Sequence, residues 1–228
     1  MFFLLWIPFV QSEPITLKTL KPTLGAVTDV SPTVTKAWEE AHQHLANTEG
    51  QTEGYTFPVN FDEALAGPWQ TISDGCSWYC GGLIEVQSAS SQLPNSKTNT
   101  YDANNIHDSD IRTAWVEGKE DYGIGESITL QSTGAHIEQI SIWNGYQKSP
   151  ELYLQNSRPK TLKLYMNDQP MYLLALEDSR AVQYFTIEGT KTIEGPRRLR
   201  FEIVEVYPGS KWKDTAISEI NFDGDNVH

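Results

Sequence analysis

Short stretches in which apolar and polar side chains alternate recur along residues 82–224, and they constrain the fold more than any other feature. Two clear examples are Leu162–Met166 and Leu199–Ile203. Because successive side chains of a strand point to opposite faces, a period of two predicts strands with one buried face. Further strands are predicted at Ile128–Leu130, Ile140–Ile142, Met171–Leu176 and Tyr184–Ile187. Roughly eight strands over about 140 residues predict an all-β jelly-roll sandwich.

Turn residues separate these stretches, most clearly at Asn144-Gly145, Asn167-Asp168 and Pro208-Gly209. Sixteen glycines, twelve prolines and an aromatic share of 11% also favour a β-rich, turn-rich globule. A chain of 228 residues is long enough for one ordinary domain with an extension. Neither a glycine-rich phosphate loop nor a βαβ alternation is visible in the sequence.

Three segments are predicted to precede the sandwich. They are a signal peptide over residues 1–12, a linker with one short helix over 13–53, and an irregular adapter over 54–81. The helix is predicted from Val34 to Ala46, because apolar residues recur there at helical spacing after Ser31-Pro32. No regular structure is expected from Glu13 to Pro32, where no period is clear.

The apolar run from Phe2 to Val10, followed by small residues, predicts a secretory signal peptide and therefore a secreted protein. No basic residue precedes the run and Pro8 interrupts it, so a disordered start or a cloning remnant is the alternative. No other stretch approaches the roughly 20 consecutive apolar residues of a membrane-spanning helix. The formal net charge of -13 would repel a phosphate backbone, which argues against nucleic acid as a partner.

The two cysteines, Cys76 and Cys80, are separated by only three residues. In an oxidising compartment this spacing favours a local disulfide over free thiols. A zinc site would need further Cys or His ligands, and none is near in the sequence. Trp78 and Tyr79, between the cysteines, are interpreted either as a second stacking site for a ligand or as a plug on the sandwich.

Residue types that carry catalysis form no recognisable pattern. The five histidines have no partner motif, and the sequence contains neither a G-x-S-x-G elbow nor an HExxH pair. Glu117, Glu120 and Asp121 are interpreted as a solvated acidic loop and not as a glycosidase carboxylate pair. We therefore expect no enzymatic activity.

The segment from Asn104 to Gly118 gathers acidic, amide and hydroxyl side chains just before Trp115, which is expected in the core. Its candidate oxygen ligands for a calcium ion are Asn105, Asp108, Asp110 and Thr113. The glycine and distal glutamate of an EF-hand are missing. A structural calcium loop and an Asx-rich turn that caps local amides explain the composition equally well. Glu219, on the last predicted strand, can meet this loop across a β-sandwich.

Several motifs in a fixed order resemble one known family. They are DSDIRTAWVEG (Asp108–Gly118), GIGE (Gly123–Glu126), IWNGYQKS (Ile142–Ser149), NSRPKTLKLY (Asn156–Tyr165) and VYPGSKWKDTAISEI (Val206–Ile220). Together they are similar to the discoidin-like, or coagulation-factor type C, superfamily of galactose-binding-like jelly rolls. Within it they resemble the NADase-type glycan-binding domain, named for the translocation domain of the streptococcal NAD glycohydrolase. The resemblance spans roughly residues 76–223 and includes no counterpart of that toxin's catalytic portion.

The resemblance implies a β-sandwich whose loops at one end bind a ligand, often a glycan, with a structural calcium ion near that end. By position, Asp108, Asp110 and Thr113 match the metal loop, and Asn105 is expected to contribute a carbonyl. Glu219 matches the acidic residue of the last strand that closes the metal site. The superfamily usually has Gly between the two acidic positions of the loop, where this chain has Ser109.

Sugar binding needs an aromatic face that stacks on a pyranose and planar polar groups that bridge its hydroxyls. The loop residues predicted to supply them are Tyr146, Tyr153, Asn156, Arg158 and Trp212. Each also has a structural alternative: Asn156 and Arg158 can lock the loop before the next strand, and Tyr153 can pack inward.

The sequence therefore predicts a secreted, non-catalytic carbohydrate-binding module with a structural calcium ion, whose partner is a glycan or glycoconjugate. The alternative is a protein-interaction or translocation accessory without sugar affinity, which docks through the N-terminal helix region. Both functions stay open because one scaffold in this superfamily serves sugar, lipid and protein ligands.

Overall fold

The computed structural model describes residues 16–72, 78–80, 82–134, 136–188 and 195–224. The predicted signal peptide and Cys76 lie outside these residues, and the side chain of Cys80 is likewise not described. The disulfide between the two cysteines therefore stays a prediction. None of the helices in the described ranges has the length and apolar character that a bilayer crossing requires.

Eleven strands and two α-helices form within the described ranges. The strands are β1 (Lys18–Leu20), β2 (Thr23–Val27), β3 (Gly82–Ala89), β4 (Trp115–Val116), β5 (Ser127–Gly134), β6 (Gln139–Asn144), β7 (Arg158–Met166), β8 (Gln169–Ala175), β9 (Ala181–Thr186), β10 (Arg197–Tyr207) and β11 (Ala216–Asp223). The helices are α1 (Pro32–Asn47) and α2 (Pro150–Gln155), and short 3-10 helices span Trp78–Cys80 and Ala103–His107.

The strands make two sheets, and every pairing except that of β1 with β8 is antiparallel. One sheet has the order β1-β8-β7-β10-β5-β3, and the other has the order β2-β9-β6-β11-β4. The predicted all-β jelly-roll sandwich is confirmed. The three long connections β3–β4, β6–β7 and β10–β11 carry most of the residues that the sequence singled out.

The core lies between the two sheets and follows the alternation seen in the sequence. Leu162 and Leu164 of β7 are fully buried, as are Leu199 and Phe201 of β10. Trp115 is also fully buried, as predicted, and its indole N–H donates to the carbonyl of Ser91 at 3.0 Å. Burying apolar side chains of this size stabilises a fold by about 1.5–3 kcal/mol each.

Helix α1 confirms the predicted N-terminal helix. Its N-cap is Ser31, whose hydroxyl accepts from the backbone N–H of Val34 at 3.5 Å, and Pro32 follows in the first turn. Trp38 and Ala41 are buried, and the Trp38 ring lies 5.0 Å from that of Phe61 in the adapter. The helix is therefore held by packing against the adapter.

The expectation of no regular structure from Glu13 to Pro32 was wrong for β1 and β2. β1 joins the edge of one sheet beside β8, and β2 joins the edge of the other sheet beside β9. All five residues of β2 are exposed, so the sequence has no buried period that would reveal the strand. β2 is held in place by backbone pairing with β9, and this pairing cannot be predicted from the local sequence of β2.

Candidate functional site

The predicted metal loop is a tight turn held by its own side chains. Asp108 accepts from the backbone N–H of Asp110 at 3.0 Å and from the hydroxyl of Thr113 at 2.7 Å. Asp110 pairs with the Arg112 guanidinium at 2.5 Å. Asn105 is buried, and its amide donates to the carbonyl of Ala114 at 3.0 Å. These contacts are those of an Asx-rich turn.

The carboxylate of Glu219 lies directly against this turn, where the sequence placed it. Glu219 is fully buried on β11, and its Oε1 accepts from the backbone N–H of Ser109 at 3.2 Å. Its Oε2 has no hydrogen-bond partner among the described residues. Burial raises the pKa of Glu219 well above its usual range, and the charge of Asp108 raises it further.

No cation of the described residues neutralises this carboxylate. His107 Nδ1 lies 3.7 Å from Glu219 Oε1, but it also lies 2.8 Å from the carbonyl oxygen of Ile220. Burial lowers the pKa of His107, so its ring is neutral at physiological pH. Oxygen-rich surroundings with an unpartnered buried carboxylate oxygen suit a hard cation. No group of three His, Cys, Asp or Glu side chains among the described residues could hold one, so main-chain carbonyls would have to complete the ligand set.

Glu117 is the one acidic residue of its loop that the sequence placed wrongly. It was expected on a solvated loop, but it is fully buried. Its Oε2 accepts from the N–H of Lys119 at 2.7 Å, and its Oε1 accepts from the N–H of Thr215 at 3.1 Å. Burial raises its pKa. Glu117 therefore ties its loop to the chain just before β11.

A pocket of about 340 Å³ lies between the β3–β4, β6–β7 and β10–β11 connections. Its walls are Leu93, Asn99, Tyr101, Val116, Tyr146, Lys148, Leu152, Asn156, Trp212 and Asp214. Tyr146 is buried and packs with Ala114 and Val116, while Tyr101 and Trp212 are half-buried. The pocket thus combines aromatic surface with amide, ammonium and carboxylate groups.

Three of the five predicted ligand residues line this pocket: Tyr146, Asn156 and Trp212. Asn156 has a second role, because its amide donates to the carbonyl of Leu152 at 2.9 Å and so closes the end of α2. The Trp212 ring lies beneath the Lys211 ammonium, whose Nζ is 4.2 Å from the ring centroid. Trp212 is nevertheless the most accessible aromatic residue of the predicted set, because Tyr146 and Tyr153 are both buried.

Tyr153 and Arg158 do not line the pocket, so the prediction that they contact a ligand there was wrong. Arg158 is 5% exposed and binds Asp178 through two N–H···O bonds of 2.6 Å. The Tyr153 hydroxyl donates to the same carboxylate at 2.9 Å, and the Arg158 guanidinium lies 4.7 Å from the Tyr153 ring. The arginine lowers the pKa of Asp178. The structural alternative for these two residues therefore holds.

Four polar or aromatic residues line the pocket that were not predicted as ligand contacts: Asn99, Tyr101, Lys148 and Asp214. Lys148 donates to the Asn99 side-chain oxygen at 2.9 Å, which joins two connections that are 49 residues apart. Tyr101 was the available signal, since it is the single Phe, Trp or Tyr between residues 82 and 114. A lone aromatic residue in a polar loop is typical of a binding surface.

Trp78 and Tyr79 act as a plug. Trp78 is 2% exposed within the main core cluster, and its indole donates to the carbonyl of His136 at 2.7 Å. The Tyr79 hydroxyl accepts from the N–H of Phe222 at 2.8 Å. These contacts fix both rings against β11 and favour the structural alternative over a stacking site.

Two sheets whose strand pairs are antiparallel except for β1–β8, with a pocket built from the connecting loops, define a discoidin-like jelly-roll β-sandwich. The family described as the NAD glycohydrolase translocation F5/8 type C domain matches residues 78–223. The chain therefore belongs to this family, and the resemblance found in the sequence is confirmed. The linker and helix α1 lie outside the matched residues. No curated protein matches the chain.

Solved structures that this chain is similar to include carbohydrate-binding modules of family 32. The CBM32-1 and CBM32-2 domains of Clostridium perfringens ZmpB share 12% identity at a TM-score of 0.44, over 92% of this chain and 42% of theirs. The family 32 module of Streptococcus pneumoniae EndoD shares 12% identity at a TM-score of 0.45, over 62% of this chain and 96% of its own. A longer ZmpB structure that includes the M60 catalytic domain is matched over only 14% of its length.

Proposed function

We propose that this protein is a secreted, non-catalytic module that binds a glycan in the pocket formed by Tyr101, Tyr146 and Trp212. The observation that carries the proposal is the composition of this pocket: half-buried aromatic rings stand beside the polar side chains of Asn99, Lys148 and Asp214. Membership of an F5/8 type C family supports it, because members use loops at one end of the sandwich for ligands. The apolar run at the N-terminus supports secretion.

The pocket has the chemistry that a pyranose needs. The apolar face of a sugar ring gains by stacking on an aromatic ring, and Trp212 offers such a face. Adjacent hydroxyls require donors and acceptors at fixed positions, which an amide such as Asn99 and a carboxylate such as Asp214 can supply. A pocket of about 340 Å³ suits one or two sugar units at the end of a chain.

We further propose that calcium binds at the turn Asp108–Thr113 and stabilises the fold. Carboxylate oxygens of Glu219 and of Asp108 or Asp110 would hold the ion together with the Thr113 hydroxyl, and main-chain carbonyls, including that of Asn105, would complete the ligand set. The support is the unpartnered Oε2 of Glu219, whose carboxylate is buried beside the charge of Asp108. A bound cation would let Glu219 ionise in the folded protein. The ion would act on structure and not on the sugar directly.

A glycan microarray probed with the full-length protein, in calcium and in chelator, tests the proposal. We expect binding to a defined set of glycans in calcium, with a lower melting temperature in chelator. Circular dichroism and thermal melts establish that the protein is folded in each arm. A folded, calcium-loaded protein that binds no glycan would exclude the lectin function.

A protein partner remains the second candidate function, and the charge of the N-terminal region favours it. Residues 29–66 contain seven acidic residues against one lysine, Lys36. A cavity of about 530 Å³, lined by Val34, Trp38 and Val59 among others, opens between α1, β2 and the adapter. Val59 is 84% exposed. A partner captured by wild type in excess free sugar and lost in Val59→Asp would support this function, whereas capture abolished by free sugar would contradict it.

A further inference from the structure

We infer that the pocket takes an acidic sugar, one that carries a carboxylate or a sulfate group. This inference rests on the proposed function and narrows its ligand class. The observation behind it is the placement of lysines that have no carboxylate partner. In a chain with thirty acidic and only seventeen basic residues, such lysines stand out.

Ion pairing divides the described lysines into two groups. Four of them pair with glutamates: Lys18 with Glu188, Lys36 with Glu40, Lys119 with Glu126 and Lys160 with Glu205. Six others have no carboxylate oxygen within 4.0 Å among the described residues. Four of these six lie on the connections that build the pocket: Lys97, Lys148, Lys211 and Lys213. The lysines without a carboxylate partner are therefore concentrated on these connections.

One of these lysines, Lys148, lines the pocket, and a second, Lys211, lies over the ring of the pocket residue Trp212. Lys148 lines the pocket and is exposed, and among the described residues its ammonium makes one hydrogen bond, to the Asn99 side-chain oxygen at 2.9 Å. An ammonium has three N–H donors, so two of them are left for a ligand. Lys211 Nζ lies 4.2 Å over one face of the Trp212 ring, so a sugar would stack on the opposite face or move the ammonium to the edge of the ring. Lys213 follows Trp212 in the chain.

Asp214 decides between an acidic sugar and a simple anion. Its carboxylate lines the same pocket and would repel an inorganic phosphate or sulfate ion. An acidic sugar has hydroxyls that can donate to Asp214 and an acid group that can lie against the lysines. A ligand with both kinds of group can interact with the carboxylate and with the ammonium groups, whereas a neutral sugar brings no negative charge to the ammonium groups.

Matched glycans that differ only in the acid group test this inference. Calorimetric titrations of the full-length protein would compare a sialylated oligosaccharide, a sulfated one and their neutral parent, with inorganic sulfate as a further arm. We expect each acidic glycan to bind at least about tenfold more tightly than the parent, and sulfate alone to bind no better than the parent. The difference should shrink between about 50 mM and about 500 mM salt, since salt screens exposed charges.

Lysine variants test whether the preference for acidic glycans comes from the lysines at the pocket or from the net charge of the protein. Lys148→Met and Lys211→Met should bring the acidic glycans to the affinity of the neutral parent. Lys163→Met is the matched control, because Lys163 is also without a carboxylate partner and its Nζ lies 4.8 Å over the Tyr165 ring on β7, outside the pocket. We expect this control to bind like wild type.

The outcomes separate the inference from the proposed function. Equal or tighter binding of the neutral parent would overturn the acidic ligand class and leave glycan binding in place. Comparable binding of inorganic sulfate would show a simple anion site and would also overturn the inference. A folded protein that binds neither acidic nor neutral glycans would overturn both.

Discussion

The Ser109 hydroxyl accepts a hydrogen bond from the backbone N–H of Ile72 at 2.9 Å, across 37 residues of chain. The same oxygen lies 3.2 Å from the N–H of Thr71, and an isolated bridge joins Gln70 to Asp110 beside it. The adapter is thereby attached to the turn Asp108–Thr113. Ser109 stands where the superfamily usually has Gly, and its backbone is left-handed, with φ +65°. We infer that these contacts offset the cost of a left-handed conformation for a residue with a Cβ atom.

Replacing Ser109 should separate the contact from the backbone strain. Ser109→Ala loses the hydroxyl and keeps the left-handed conformation, whereas Ser109→Gly loses the hydroxyl and relieves the conformation. We expect the alanine variant to be the less stable of the two by about 1 kcal/mol in urea unfolding. In both variants the Ile72 amide should exchange with solvent faster than in wild type. Unchanged exchange at Ile72 would show that the contact does not hold the adapter.

Glu219→Gln tests the proposed calcium site. In calcium-free buffer the raised pKa of Glu219 means that folding favours the protonated carboxyl. Its contribution is therefore intact below the ordinary carboxyl pKa of about 4.3 and is lost as pH rises toward the folded value. We expect the glutamine variant to melt higher than wild type at neutral pH without calcium, and to gain nothing when calcium is added.

Glu117→Gln is the matched control for that experiment. Glu117 is equally buried, but both of its oxygens accept backbone N–H bonds, from Lys119 and from Thr215. The variant should lose stability and keep the calcium response of wild type. If wild type itself shows no calcium-dependent change in melting temperature, the proposed ion is excluded.

The sequence predicted the sandwich well because its strands bury one face and expose the other. β7 and β10 show this alternation directly, and the turn between β7 and β8 falls at Asn167-Asp168, both with positive φ. A type I′ hairpin needs that backbone, and Asn and Asp tolerate it better than most residues. These predictions succeeded because they depend only on residues that are neighbours in sequence.

The burial of Glu117 and the roles of Tyr153 and Arg158 could not be predicted, because they depend on partners that are distant in sequence. Glu117 looked solvated, because nothing nearby reveals that its partner is the N–H of Thr215, 98 residues away. Arg158 and Tyr153 looked available because Asp178, their shared partner, lies on another connection. Side-chain chemistry alone does not tell a ligand contact from an internal ion pair. The pocket itself was predicted only in part, through Tyr146, Asn156 and Trp212.

Asp178→Asn tests the structural role of Arg158. Arg158 is buried and loses its charged partner, so we expect a loss of about 1–3 kcal/mol in the free energy of unfolding at pH 7. The pKa of Asp178 is lowered by Arg158, so its contribution exists above the ordinary carboxyl range and disappears as pH falls below it. Urea unfolding should therefore show the difference between wild type and variant shrinking toward pH 2–3.

Glu205→Gln provides the comparison on the surface. Its pair with Lys160 has a similar distance, 2.9 Å, but both side chains are about half exposed. We expect a change of less than about 0.5 kcal/mol at any pH, as for most exposed pairs. Equal effects of the two substitutions would contradict the assignment of Asp178 to a structural ion pair.

The affinity of Trp212→Ala for the best glycan from the array tests whether the sugar binds in the pocket. Trp212 is half-buried in the pocket wall, and losing its contact should cost about 1.5–3 kcal/mol, which is at least about tenfold in affinity. Tyr153→Phe, which removes only the hydroxyl bonded to Asp178, should bind like wild type. If Trp212→Ala binds the glycan as tightly as wild type and its melting temperature is unchanged, the sugar binds elsewhere and the proposed pocket is contradicted.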